Sequence, residues 1–343
     1  MGPRLLIRVD SLRTGSDQLA AAGELMSSAS TWARFLVRRI SRLLISVFVL
    51  LTAVFAIIHV IPGDPVRAAL GQTASPELIE SRRQLLGLDQ PLWQQYADFL
   101  SGLLRGDLGV SMVSGLPAAE VVEQRLAPTL ELALYAFLLI MVLAVPIGMT
   151  AAVLTQHGRR PRAELGFNGA TGALGAIPDF LLAVALIAVF AVLLDWLPAA
   201  AGAGARSYVL PVLALSIGPL AVICRLIRVE TLRVLGEDFM RTARSKRLPS
   251  RLLYLRHALP NLLTSTLTWS GLLLGGLLSG TVLVENVFAW PGLGTELARA
   301  VPAKDYPIVQ TLALVFGGAV LLINFLVDVL IVMVNPRSAL REG

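Results

Sequence analysis

The chain has few of the residues from which most catalytic and metal sites are built: one cysteine, two lysines and three histidines among 343 residues. The single cysteine, Cys224, excludes an internal disulfide and cannot form a cysteine metal cluster. The histidines, His59, His157 and His257, do not have the spacing of a metal site or a catalytic triad. The sequence therefore predicts no catalytic residue and no metal site.

The chain also lacks a phosphate-binding loop. The pattern G-x-x-x-x-G-K-[ST] does not occur, and neither Lys246 nor Lys304 follows such a loop. The chain therefore cannot hold ATP in the manner of a P-loop protein, and we predict no cofactor of its own.

Charge is scarce as well. Charged residues make up 15% of the chain, against about 25% in soluble proteins, and hydrophobic residues make up 55%. The net charge of +6 could suit nucleic acid, but most bases are arginines beside apolar runs, without interleaved aromatic residues. With a mean hydropathy of +0.72, the composition indicates a membrane protein and argues against nucleic-acid binding.

Six stretches are long and apolar enough to cross a bilayer as helices of about 20 residues. They predict an all-α polytopic membrane protein with six transmembrane helices, in contact with the lipid bilayer. The stretches lie at about 43–61, 130–154, 167–194, 208–226, 262–284 and 308–334.

Arginine is concentrated in alternate connections, which predicts the orientation of the chain. The base-rich segments are the N-terminus, 155–166, 227–261 and the C-terminal tail 335–343. We therefore expect a multi-pass protein of the cell (plasma or inner) membrane with both termini in the cytoplasm.

The predicted domain order follows from these segments. Residues 1–33 form a poorly structured N-terminal extension, in which Met26 is an alternative start, and 34–61 form the first transmembrane helix. Residues 62–128 form an extracytoplasmic helical segment, and 129–334 form a five-helix core with the cytoplasmic loop 227–261.

The extracytoplasmic segment 62–128 predicts two amphipathic helices. The first follows Ser75, a plausible N-cap, and the second carries Leu92, Tyr96, Phe99 and Leu103 at spacings of three or four. These helices either lie on the bilayer or bind a partner, or they cover the outer ends of the transmembrane helices.

The densest charge cluster of the chain, "GEDFMRTARSKRLP", lies in the loop 227–261. Acids come first and bases last, as the macrodipole of a short helix favours. Positive-inside bias alone explains the number of arginines but not this order. We predict a helix of about three turns with an apolar patch and a basic stripe, which contacts a cytoplasmic protein. Its residues are Glu237, Asp238, Phe239, Met240, Arg241, Thr242, Ala243, Arg244 and Arg247.

This segment resembles the "EAA" loop of type I ABC-importer permeases, whose pattern is E-A-A, three residues, G, nine residues, I, one residue and L-P. Arg241-Thr242-Ala243 takes the E-A-A place, and "HALP" at 257–260 closes the pattern. "IIHVIPGDPV", "PTLELAL", "VLVENVFAWPGLG" and "NFLVDVL" occur in the order expected for the B-type permease subunit of dipeptide, oligopeptide and nickel importers. The resemblance covers about residues 33–338.

The resemblance implies ATP-driven import by alternating access, with di- or oligopeptides as the expected substrates and nickel, glutathione or another small solute as alternatives. It implies a second permease subunit (C-type), two ATP-binding cassette ATPase subunits that bind ATP and Mg, and an extracytoplasmic solute-binding protein. The helix at 237–248 would transmit the motion of the ATPases. A competing class, a secondary transporter without an ATPase, would show inverted repeats, and no second copy is evident.

Two residues depart from the family pattern. Arg247 stands where glycine is usual, which suggests a turn built differently, for example by Pro249. The third-helix motif, usually I-P-S-F, reads I-P-D-F, so that Asp179 falls near mid-membrane. Asp179 either lines the translocation path and favours a cationic group, or caps the helix that restarts after Pro178.

Three other acids lie within or beside the predicted transmembrane helices. Glu131 and Glu285 lie near outer ends, where we expect water to reach them and structural roles to prevail. Asp328 lies near the inner end of the last helix, where we expect it to pair with Arg225, Arg337 or the backbone of a neighbouring helix.

Overall fold

The computed structural model describes residues 37–57, 65–70, 74–85, 87–158, 160–202 and 204–334. The predictions for the extension 1–33 and the tail 335–343 lie outside these residues. The described part of the chain is helical throughout and contains a single isolated antiparallel bridge, between Val110 and Pro117. The all-α prediction is confirmed.

The first helix, α1, spans Val37–Ile57. Three shorter helices follow, and α5 then begins the main bundle. The remaining helices are α2 (Pro65–Leu70), α3 (Pro76–Leu85), α4 (Leu92–Leu104), α5 (Ala118–Thr155), α6 (Pro161–Ala176), α7 (Asp179–Leu186), α8 (Val209–Gly236), α9 (Asp238–Ser245), α10 (Ser250–Leu252), α11 (Leu259–Val287), α12 (Leu293–Ala303) and α13 (Tyr306–Val334). Two π-helical stretches, Ile187–Leu193 and Leu253–Ala258, continue α7 and α10.

Within the described residues, five helices are long and apolar enough to cross a membrane by themselves: α1, α5, α8, α11 and α13. The helices α6 and α7, bent by 92° at the break between them, make a sixth crossing if the pair is one span and not a re-entrant loop. The predicted number of six agrees with the first of these arrangements, but the stretch 167–194 is not one straight helix.

The break between α6 and α7 has a local cause. Ile177 precedes Pro178, and the ring of a proline disfavours the helical conformation of the residue before it. Both residues are extended, with ψ of 122° at Ile177 and 139° at Pro178. The chain therefore leaves α6 at Ala176 and restarts as a helix at Asp179.

The core of the bundle lies between α5 and α8. Small buried side chains on both helices, such as Ala136, Ala144 and Ala214, let the two backbones approach closely. The Ser216 hydroxyl reaches across to the Ala136 carbonyl at 3.5 Å. The C-terminal half of α11 packs against this pair and completes the core.

The helix α4 packs against α1. Tyr96 of α4 forms a hydrogen bond of 2.8 Å with Thr52, and its ring lies 5.0 Å from that of Phe55. The Ser75 hydroxyl accepts a hydrogen bond from the Leu78 amide at 3.3 Å. Both amphipathic helices and the Ser75 cap are therefore present as predicted.

The bundle has two distinct ends. The end formed by the start of α5, the end of α11 and α12 is called the α12 end below. The opposite end, formed by the end of α5, the start of α6 and α9, is called the α9 end. At the α9 end Asp328 pairs with Arg39 at 2.7 Å, a base that the sequence analysis did not name, and the expected partner Arg337 lies outside the described residues.

Candidate functional site

The helix α9 is held at the α9 end by two buried side chains. Met240 is fully buried and Ala243 is 6% exposed, and both belong to the apolar core that includes Leu235 of α8 and Ala258 beyond α10. Phe239, predicted to share this apolar patch, is 41% exposed. One face of α9 is thus fixed to the bundle, while the aromatic ring beside it is left on the surface.

The helix is shorter than predicted, at eight residues rather than about three turns. Glu237 is extended, with ψ of 153°, and precedes the first helical residue. Asp238 lies in the first turn and Arg244 in the last, so the order of charges matches the helix dipole.

Glu237 and Arg241 have the i, i+4 spacing of a helical ion pair, but the structure pairs them with other residues. Arg241 pairs with Asp238 at 3.3 Å, and Glu237 pairs with Arg233 of α8 at 3.2 Å. The reason is that Glu237 lies outside the helix, so its side chain does not share a helical face with Arg241.

The chain leaves α9 through a left-handed residue. Arg247 has φ of 50°, a conformation that glycine adopts without strain and that costs other residues about 1 kcal/mol or more. Its amide donates to the Arg244 carbonyl at 2.9 Å. The turn therefore has the backbone expected for the usual glycine, and Pro249, which precedes α10, does not create it.

The outward face of α9 is basic. The exposed bases of this face and of the turn after it are Arg241, Arg244, Lys246 and Arg247. Together with the exposed Phe239, they present an aromatic and cationic surface that an acidic protein surface would complement.

A buried arginine lies deeper in the α9 end, which the sequence analysis missed. Arg228 of α8 is 9% exposed, donates to the Thr155 hydroxyl at 3.0 and 3.1 Å, and pairs with Glu164 at 2.6 Å. It lies 5.9 Å from the ring centre of Phe167. These contacts join α5, α6 and α8. The available signal was the presence of arginines inside an otherwise apolar helix, and it did not show which of them is buried.

The α12 end holds a buried acid. Glu285 is fully buried, accepts a hydrogen bond of 2.7 Å from the Thr129 hydroxyl, and accepts two more from the Gly294 and Thr295 amides at 2.7 and 3.2 Å. A Cβ at Gly294 would lie 2.8 Å from the Glu285 carboxylate. The expectation that water reaches Glu285 is wrong, because the turn before α12 folds over it.

Glu131 behaves differently from Glu285 at the same end. It lies on the exposed side of α5 and accepts a hydrogen bond of 2.6 Å from the Tyr208 hydroxyl. Its expected position near water is therefore consistent with the structure.

Asp179 is the first residue of α7, at the 92° break. Its carboxylate lies beside glycines of two other helices: Cβ atoms at Gly218 and Gly280 would be 3.1 and 3.7 Å from its oxygens. Asp179 and α9 thus lie on different parts of the bundle.

The described residues contain no group of three or more histidine, cysteine, aspartate or glutamate side chains that could hold a metal ion. Cys224 is buried in the α8 core, with its sulfur 4.0 Å from the Ala144 carbonyl.

Family models match most of the chain. Residues 144–339 match the model described as "Binding-protein-dependent transport system inner membrane component", and residues 32–133 match its N-terminal companion. The first match includes Asp179, Arg228, α9 and Glu285, so the features described above lie within it.

Curated relatives agree. The glutathione transport system permease protein GsiC of Escherichia coli O6:H1 is 40% identical over 303 residues, which cover 88% of this chain and 97% of the relative. The proteins of the same name from Escherichia coli K12 and Shigella dysenteriae serotype 1 are 39% identical over the same length.

A solved structure shares the fold. An inward-facing form of the MetNI methionine ABC transporter matches with a TM-score of 0.52 and 16% identity, over 63% of this chain and 97% of that chain. At this identity the likeness supports the fold of a type I ABC importer permease. The chain belongs to the family of binding-protein-dependent transport system inner membrane components and is a multi-pass permease subunit of an ABC importer.

Proposed function

We propose that this chain is the B-type permease subunit of an importer of short peptides. It works by alternating access together with a C-type permease subunit, two ATPase subunits and an extracytoplasmic solute-binding protein. The ATPase subunits bind ATP and Mg. This chain contributes the path across the membrane and no catalytic residue, in keeping with the lack of a phosphate-binding loop in its sequence.

The construction of α9 carries this proposal. A coupling element must be joined firmly to the membrane bundle and still offer a surface to the ATPase. Met240 and Ala243 join α9 to the bundle. The exposed Phe239, Arg241 and Arg244 form the surface that is offered to the ATPase. Movement of the bound ATPase would therefore be transmitted through α9 to α8 and α11, which share its core.

We place the α9 end in the cytoplasm and the α12 end outside. The support is the concentration of bases at the α9 end, which includes Arg39, Arg160, Arg162 and the bases of α9. This orientation puts both termini in the cytoplasm.

A short peptide is the substrate class that we propose, and glutathione is the second candidate. The names of the relatives favour glutathione, a tripeptide with a free amino group, because those permeases are described as part of glutathione transport systems. The two candidates are chemically close, and the same path would serve both. Measuring the affinities of the cognate binding protein for dipeptides, oligopeptides and glutathione would show which candidate is the substrate.

Reversing charge on α9 tests the coupling role. We expect Arg241→Glu combined with Arg244→Glu to abolish co-purification of the ATPase subunits, or at least to remove stimulation of ATP hydrolysis by the loaded binding protein. Both side chains are exposed, so the folded permease should reach the membrane in normal amount.

The matched control is Arg160→Glu with Arg162→Glu. It reverses two exposed bases at the same end of the bundle but outside α9. The control should retain the ATPase subunits and their stimulation. Normal ATPase binding and stimulation in the α9 variant would disprove the coupling role.

A further inference from the structure

Asp179 forms no capping hydrogen bond at the start of α7, although as an acid in the first turn it complements the helix dipole. Pro178 occupies the N-cap position, and no side chain caps the helix. The amides of Leu181 and Leu182 donate to the Pro178 carbonyl at 3.0 and 3.1 Å. The alternative in which Asp179 caps the restarted helix is therefore wrong.

The carboxylate lies at a depth where water is scarce. Gly280 lies seven residues before the end of α11, and Gly218 nine residues after the start of α8. At 1.5 Å per residue, these glycines are about 10 and 14 Å from the α12 end of their helices. A hydrocarbon core is about 30 Å thick, so Asp179 lies inside it when the α12 ends of these helices are placed at the membrane surface.

The surroundings of Asp179 supply acceptors rather than donors. Within the part of the chain that the structure describes, no side chain forms an ion pair or hydrogen bond with its carboxylate. The Ile177 carbonyl lies 4.0 Å from the position of a Cβ at Gly218. Pro219, inside α8, has no amide hydrogen for the Leu215 carbonyl four residues earlier.

Two glycines leave space beside the Asp179 carboxylate. Side chains at Gly218 and Gly280 would fill the space beside the two carboxylate oxygens. The break in α6–α7 brings the charge to this space, because a continuous helix would carry residue 179 onward along the α6 axis. Three transmembrane elements thus converge on one half-buried carboxylate.

An acid inside the hydrocarbon region is costly unless a cation neutralises it. Among the described residues no base forms an ion pair with Asp179. The Arg225 guanidinium lies 3.8 Å from the Cβ position of Gly175, four residues before Asp179, and the carbonyls nearby attract a cation. We propose that Asp179 binds the positively charged amino group of the solute during translocation, and that it makes this permease selective for solutes with a free ammonium group. This inference rests on the proposed import of peptides.

A thiol assay tests the cation preference without any knowledge of the solute. Gly276 lies one turn from Gly280 on the same face of α11, is exposed, and has open space at its Cβ position. In the full complex with Cys224→Ala, we expect Gly276→Cys to react faster with a cationic than with an anionic methanethiosulfonate. Asp179→Asn should lower that rate ratio about tenfold, as expected for a unit charge about 10 Å away at an effective dielectric between that of a protein interior and that of water.

The control for the thiol assay is Asp195→Asn. It removes the same charge from an exposed residue with φ of 50°, a conformation that asparagine tolerates. The ratio should not change in this variant. An unchanged ratio in Asp179→Asn, or an equal fall in Asp195→Asn, would overturn the inference.

A transport assay connects the charge to selectivity. In proteoliposomes with the binding protein and the ATPase subunits, Asp179→Asn should lower the kcat/KM for a dipeptide with a free amino group about tenfold. Uptake of its N-acetylated analogue should change less than twofold. Equal losses for both solutes, or loss of the second permease on purification, would show instead that Asp179 is structural.

The two proposals fail in different ways. If the wild-type complex imports no peptide, the proposed substrate class is wrong, while the thiol ratio still decides whether Asp179 favours cations. The second outcome is that peptides are imported while Asp179→Asn changes neither the cation-to-anion ratio of thiol reaction rates nor the selectivity of transport. In that case the inference is wrong and the proposed function stands.

Discussion

Both ends of α5 hold a buried ionisable side chain, but the two are satisfied in opposite ways. At the α12 end, Thr129 and two backbone amides donate to Glu285, which is fully buried. At the α9 end, Thr155 accepts from Arg228, whose ionic partner Glu164 has a side chain that is 40% exposed. Backbone groups cover the Glu285 carboxylate, whereas the ion pair of Arg228 reaches water at the Glu164 side chain.

The difference bears on which end can move. Backbone amides at the start of α12 are fixed by the helix that follows, so the Glu285 contacts can be broken only by displacing the turn. The Glu164 side chain can leave Arg228 by changing rotamer, since it can be solvated where it is. In the proposed orientation the α9 end faces the ATPase, where alternating access would require such adjustable contacts.

The largest effect is expected from Glu285→Ala. It leaves the Gly294 and Thr295 amides and the Thr129 hydroxyl without their acceptor, at a cost of about 3 kcal/mol in the free energy of unfolding. Denaturation of the purified permease in mixed micelles would measure this loss. Glu131→Ala, at the same end but exposed, should cost less than about 1 kcal/mol. Equal losses would remove the contrast between a closed site and an exposed one.

A smaller effect is expected from Glu164→Ala at the α9 end. It leaves the buried Arg228 guanidinium with the Thr155 hydroxyl as its hydrogen-bond partner. We expect the free energy of unfolding to fall by about 2 kcal/mol, which is less than is usual for buried ion pairs because Glu164 is partly exposed. Adding Arg228→Met should recover most of this loss, because it removes the unpaired charge. If the double variant is no more stable than Glu164→Ala, the pair is not a coupled unit.

The number of transmembrane helices, the two amphipathic helices and the order of charges in α9 could be predicted from the sequence, because each follows from a periodicity or from local propensity. Glu285 could not. Its position near a helix end suggested water, and only the fold of Ala289–Gly294 over the carboxylate excludes it. The pairing of Asp328 with Arg39 likewise joins residues far apart in sequence, which no local pattern encodes.

For Asp179 the sequence predicted a position in the membrane on a basis that the structure does not support. Its depth was predicted from a straight helix, and the 92° bend removes that basis. The depth is now supported by its neighbours on α8 and α11. A proline in the sequence signals a break, but the direction of the chain after the break depends on packing against other helices.

The smallest effect concerns the exit from α9. Arg247 holds a left-handed backbone, so Arg247→Gly should relieve about 1 kcal/mol of strain, whereas Arg247→Ala removes the same charge without relieving it. Hydrogen exchange of the α9 amides should therefore be slower in the glycine variant than in the alanine variant, by about fivefold if the turn opens with the helix. Both variants lack the charge of Arg247, so a difference in exchange rate between them reflects the backbone conformation alone. Equal exchange in the two variants would show that the turn does not limit the opening of α9, and that Met240 and Ala243 alone hold it to the bundle.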